Sequence, residues 1–239
     1  MNKLISFISA IIAVLCLASC GGNSKSEVNV NVPTEYSEEL VKLAEDGNAE
    51  AQANLGVCYA QGKGVSVNGD ESVKWLKMAA EQGEPKAQYY LSVAYNRGFG
   101  VQQDFNESLR LLNESANQGF AKAQNQLGGV YEYGLGGVPK DANEALNWYR
   151  KAAEQGEPQA QWSVGVDFHN KGDYAEAVKW FEKSAAQDYS GGQLMLGMCY
   201  FLGQGVDQDK TIGYDLVRKA ADQGNESAIQ QLEILKANM

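Results

Sequence analysis

Few residues in this chain are of the types with which enzymes move protons, hold metals or attack carbonyls. There is one histidine, His169, and four cysteines, Cys16, Cys20, Cys58 and Cys199. A single His excludes zinc motifs that pair histidines on a helix. Gly62-Lys63-Gly64 follows Gly56, but the spacing is wrong for a phosphate loop and no Ser or Thr follows the Lys. Asp141 and Glu144 stand at the spacing of a helix start, and no Asp-x-Asp-x-Asp-Gly calcium loop occurs. Neither Ser-x-x-Lys nor Lys-Thr-Gly is present, so serine β-lactamase machinery is missing. No cofactor and no metal is implied. What the chain offers is aromatic, amide and charged side chains suited to holding another molecule.

Those side chains are placed by a repeat. Leu55, Leu91, Leu127, Val164 and Leu196 recur at steps of 36, 36, 37 and 32 residues, each followed four residues later by an aromatic: Tyr59, Tyr95, Tyr131, Phe168 and Tyr200. A period of this size predicts stacked supersecondary units whose apolar faces only their neighbours can cover. The first half of each unit has apolar residues at three- and four-residue spacing and reads as a helix. Gly56, Gly128, Gly165 and Gly197 would let a second helix come close, with Ser92 in that place in the second unit. A Gly-rich turn follows, as in Gly62-Lys63-Gly64-Val65 and Gly98-Phe99-Gly100-Val101, which suits left-handed helix ends. Asn68, Asp104, Asp141, Asp173 and Asp209 are N-cap candidates for the second helix, and in four of them Glu follows at capping-box spacing. Trp75, Leu111, Trp148, Trp180 and Leu216 anchor that helix, and Gln-Gly closes most units. Tyr36 to Gly47 reads as a lone second helix and Glu226 to Asn238 as a lone first helix, capping the stack.

Leu-Gly-x-x-Tyr, Gly-x-Gly-Val and Trp-x-x-Lys-Ala-Ala-Glu-Gln-Gly together resemble the Sel-one-like repeat family, a relative of the tetratricopeptide repeat. The first and third units match best, whereas the fourth lacks the long Gly-x-Gly loop. The fold expected over residues 36–239 is an all-α solenoid, a superhelix of antiparallel helix pairs. Tetratricopeptide-like units turn certain first-helix positions into a concave groove. Counted from the Leu register, these give Tyr89, Asn96, Arg97, Asn125, Glu132, Tyr133, Trp162, His169 and Phe201 as candidate binding residues. Aromatics beside amides and Arg suit peptide or glycan recognition. Phe201 is placed there with an alternative, that the C-terminal helix covers it.

The N-terminus is different in kind. Lys3 precedes an apolar run from Leu4 to Ala18, too short for a comfortable membrane span. Leu17-Ala18-Ser19-Cys20 resembles a bacterial lipobox, which implies cleavage of residues 1–19 and lipidation of Cys20; an ordinary secretory signal is the alternative. Residues 20–35 read as a polar tether, although Val28, Val30 and Val32 alternate as a strand would. Cys58 and Cys199 lie in units too far apart for a disulfide and read as small buried residues. The formal charge of −10 argues against nucleic-acid partners. The functional expectation is a non-enzymatic adaptor in the bacterial cell envelope, held to the membrane by its lipid and binding a protein or peptide. The alternatives are a peptidoglycan or glycan binder and, more weakly, a β-lactam-hydrolysing enzyme.

Overall fold

A computed structural model describes residues 32–236. All the regular structure among them is helical. A short helix α1 (Glu38–Glu45) leads into five helix pairs: α2 (Ala49–Gln61) with α3 (Gly69–Glu81), α4 (Pro85–Arg97) with α5 (Phe105–Asn117), α6 (Ala121–Tyr133) with α7 (Ala142–Glu154), α8 (Pro158–Asn170) with α9 (Tyr174–Ala185), and α10 (Ser190–Leu202) with α11 (Lys210–Asp222). A last helix α12 (Glu226–Lys236) closes the array. Expected solenoid and observed fold agree. The leader and Cys20 lie outside the described residues.

Local chemistry sets the helix ends. The side chains of Asn68, Asp104, Asp141, Asp173 and Asp209 each accept hydrogen bonds from first-turn amides of the helix they precede. The other half of the expected capping box does not form. The cap residues' own N–H groups donate across the turn to the carbonyls of Tyr59, Tyr95, Tyr131, Phe168 and Tyr200. Glu71, Glu107 and Glu176 are released to pair with Lys74, Arg110 and Lys179 one turn on. The conserved-register aromatic thus has two uses, a ring for the core and a carbonyl that fixes the next helix.

Packing is pairwise and then serial. The glycine after each Leu-register residue is where the second helix lands: a Cβ on Gly56 would stand 2.7 Å from Leu76, on Gly128 2.7 Å from Tyr149, and on Gly165 2.6 Å from Phe181. Each apolar cluster then crosses a repeat boundary. Ala53, Val57, Val73 and Leu76 of the first pair join Ala87, Leu91, Ala94 and Leu111 of the second. At the entry, Leu40 and Ala44 of α1 are fully buried. The end of the expected tether is docked there as well, Asn54 donating to the Pro33 carbonyl at 3.0 Å, and Tyr36, expected to open the capping helix, meets Tyr59 edge-on at 6.0 Å. Cys58 and Cys199 are buried and unbonded to each other.

A polar joint also recurs at every repeat, and the sequence reading did not foresee it. Gln52, Gln88, Gln124, Gln161 and Gln193 are buried near the start of each first helix. The Gln that closes the same pair, Gln82, Gln118, Gln155, Gln187 or Gln223, donates its amide to that buried oxygen at 2.7–2.9 Å. Buried amides without partners are costly, so this pairing fixes the turn between second and first helix as well as satisfying it.

Candidate binding groove

First helices of neighbouring repeats approach one another. α2 touches α4 and α8 touches α10, while a cleft of about 380 Å³ opens between second helices α3 and α5. That outer cleft is charged but self-satisfied, because Arg110 pairs with both Glu107 and Glu114 at its rim. The face made by the first helices, the inner face below, carries most of the candidate residues.

Two aromatic pairs repeat there at equivalent positions. Tyr89 on α4 lies 5.3 Å from Phe120, the residue that opens α6, and 5.1 Å from Tyr90. Trp162 on α8 lies 6.1 Å from Tyr189, the residue that opens α10. A first-helix aromatic therefore meets an aromatic at the N-cap of the next first helix. Gly191 leaves the Tyr189 ring its room, since a Cβ there would stand 2.6 Å from its Cε1.

Between these pairs sits a polar cluster. Tyr149 belongs to α7, yet its ring crosses Gly128 and its hydroxyl donates to Glu132 on α6 at 2.6 Å. Tyr133 follows Glu132 and is half-buried. Burial, with the Glu132 charge second, pushes both phenols well above the ordinary tyrosine range, so both remain protonated donors. Tyr133 and Tyr189 also lie close enough to add to the shift at Tyr149. Two enclosed polar atoms here have no hydrogen-bond partner, Asn125 Oδ1 and Trp162 Nε1, and the enclosed Tyr133 hydroxyl is set against Glu132. Asn125 is only 9% exposed, and its amide donates to Gln159 at 3.1 Å. Most buried polar atoms are paired, so such a grouping on one face calls for an explanation.

Other candidates are placed differently. Asn96 and Arg97 are exposed at the end of α4. His169 is a joint between repeats: its Nε2 stands 3.2 Å from Gln204 Oε1, and its ring meets Tyr174 edge-on at 5.0 Å. Phe201 is not a groove residue. It is 6% exposed and packs with Val217, Ala220, Ala228 and Leu235, because α12 covers the last repeat as a further first helix would. Three groove residues, Phe120, Tyr149 and Tyr189, were not foreseen. Phe120 and Tyr189 stand seven residues before the Leu register of their repeats, which is the signal that would have found them. Among the described residues no three of His, Cys, Asp and Glu converge as a metal site would require.

Helix pairs stacked in sequence order make an all-α helical-repeat fold. A family model, the Sel1 repeat, matches residues 49–84, 85–120, 121–157, 158–189 and 190–225, and the chain belongs to that family. It is similar to a crystal structure of a Sel1 repeat protein from Oxalobacter formigenes, with 32% identity, 82% of each chain covered and a TM-score of 0.71. It is similar, also at 32% identity, to a protective antigen present in uropathogenic Escherichia coli strains, where 82% of this chain aligns to 50% of that one with a TM-score of 0.52. A match to a putative sel1-like repeat-containing protein of Acanthamoeba polyphaga mimivirus is 36% identical over 70 residues, 29% of this chain and 13% of that protein's length. Sel1 repeats generally mediate protein–protein interaction, and the family is typically a non-enzymatic scaffold.

Proposed function

We propose that this chain is a non-enzymatic adaptor of the bacterial cell envelope, anchored by lipid at Cys20, that holds a protein or peptide segment along the inner face of its repeats. The observation that carries the binding half is the pair of aromatic contacts, Tyr89 with Phe120 and Trp162 with Tyr189, set on first helices around polar atoms that lack partners. Amphipathic aromatics of this kind are the usual anchors of an interface. The Leu17-Ala18-Ser19-Cys20 sequence carries the anchoring half, and several acyl chains on one Cys give stable membrane attachment.

Two variants test the binding half. Trp148 is buried beneath the Lys151 ammonium, so Trp148→Ala should cost roughly 3–5 kcal/mol of stability. Trp162 is half-buried against the cluster around Val178 and Phe181, so Trp162→Ala should cost less, about 1–2 kcal/mol. At matched folded fraction, Trp162→Ala should still weaken capture of a cross-linked partner by over tenfold. Capture unchanged by Trp162→Ala, Tyr89→Ala and their combination would refute the groove, and retention by purified peptidoglycan instead would favour a glycan binder. For the anchor, wild type should incorporate labelled palmitate and Cys20→Ser should not; an unlabelled, wholly soluble wild type removes it.

A further inference from the structure

The groove carries one feature that a generic peptide surface does not need: a half-buried carboxylate among aromatic rings with no cation. Tyr149 fixes one Glu132 oxygen through its hydroxyl at 2.6 Å. No Lys or Arg pairs with Glu132 among the described residues. The cations nearby in sequence are committed elsewhere. Lys122 is engaged and pulls on Glu157, Arg150 and Lys171 share Asp167, and Lys151 lies over the Trp148 ring. Tyr133 follows Glu132 and acts on the same carboxylate, and beyond Tyr149 lies Tyr189, which packs on Trp162. The enclosed Trp162 indole N–H has no acceptor and the enclosed Asn125 carbonyl has no donor, while the Tyr133 hydroxyl is set against the Glu132 carboxylate.

The geometry points to a site for a basic side chain, a lysine or arginine of a peptide segment, seated on the Glu132 carboxylate and flanked by Tyr133, Trp162 and Tyr189. A cation beside a carboxylate gains a charge-assisted hydrogen bond, and aromatic faces add attraction of their own. The segment's backbone supplies what the orphaned atoms need, a carbonyl for the indole and an N–H for Asn125. The net charge of −10 draws such a segment in. This inference rests on the groove reading above and adds the partner's chemistry to it.

The test uses the full chain and defined peptides. The probe is a blocked Gly-Ser-Leu-Lys-Leu-Ser-Gly peptide, with versions in which Lys is replaced by Arg, norleucine or Glu. The readout is the Trp162 indole N–H resonance, assigned by its loss in Trp162→Phe. The Lys and Arg peptides should shift it saturably at millimolar concentration, with affinity falling as salt rises. The norleucine peptide should bind about tenfold more weakly and the Glu peptide more weakly still. The isosteric Glu132→Gln should abolish the preference for Lys over norleucine. Equal binding of Lys and norleucine peptides, or a preference that survives Glu132→Gln, overturns the basic site while leaving the groove intact. No shift with any peptide overturns it too. A shift with chito-oligosaccharide alone overturns both this inference and the peptide reading of the groove.

Discussion

At Gly128 the missing side chain leaves the space that the Tyr149 ring occupies, and the phenol then reaches the inner face. Leu76, Leu112, Phe181 and Val217 hold the same position in the other repeats and stay in the core, because none carries a polar atom beyond the helix it packs against. Gly128→Ala would set a Cβ 2.7 Å from the ring. Backbone on both sides must shift, so thermal unfolding should show a loss of about 1–3 kcal/mol, with the Tyr149–Glu132 bond weakened as well. From sequence, Tyr149 is legible only as a core residue; what a phenol can reach depends on how closely two helices pack. Trp162 was legible because its register alone puts it on the inner face. Burial acts as plainly at Cys199, whose thiol it pushes from 9.0 to about 11. A raised pKa means the folded state holds its proton longer. The stability this residue contributes is therefore complete below pH 9.0 and lost as the pH climbs towards about 11. Denaturant titrations of wild type and Cys199→Ala should diverge in slope against pH across that window, and parallel profiles would refute the assignment.

The loops show what element-scale reading captures and what it misses. Glycine was expected at these turns for its positive φ, and Gly62, Gly98, Gly134 and Gly203 do end their helices in the left-handed region. The second glycine of the loop has a further reason that only stacking supplies. A Cβ on Gly100 would fall 2.0 Å from the Gly69 carbonyl, and one on Gly205 2.3 Å from that of Tyr174, so these loops sit against the N-terminus of the preceding second helix. Gly136, in the longer loop of the third repeat, has nothing within 4 Å. Both positions have positive φ, 67° and 62°. Gly136→Ala should therefore lose only the conformational term, about 1 kcal/mol, while Gly100→Ala adds a backbone collision and should lose several times more. Equal losses in chemical denaturation would show that the loop contact carries no weight. The glutamine joint escaped the sequence for a related reason: two Gln thirty residues apart look like solvated polar positions until the turn brings them to 2.7 Å. In a double-mutant cycle, Gln88→Leu and Gln118→Leu should each destabilise, the second by leaving the Gln88 carbonyl oxygen without its partner. Their coupling should be about 1 kcal/mol, and additive losses would mean the pair is incidental.

Across the whole molecule, each apolar cluster spans one repeat boundary and contacts between repeats are serial, so stability is a sum of units and interfaces. The last interface is Phe201, Val217 and Ala220 under Ala228 and Leu235 of α12. Ending the chain at residue 225 removes that cover and exposes Phe201 and Val217 to water. Fully burying a side chain of that size is worth about 1.5–3 kcal/mol, so the loss should be a few kcal/mol. It should also be local. Amide exchange should quicken in α10 and α11, fade through α8 and α9, and leave α2 to α5 at full-length protection. Ending the chain at residue 189 instead uncovers Val178 and Phe181 and keeps Tyr189 for the Trp162 pair. That shorter chain should remain helical with a lower denaturant slope, since less surface is exposed on unfolding. Uniform acceleration of exchange through all the remaining repeats in either truncation would mean the array unfolds as one cooperative unit. The repeat boundaries read from the sequence would then mark packing but not stability.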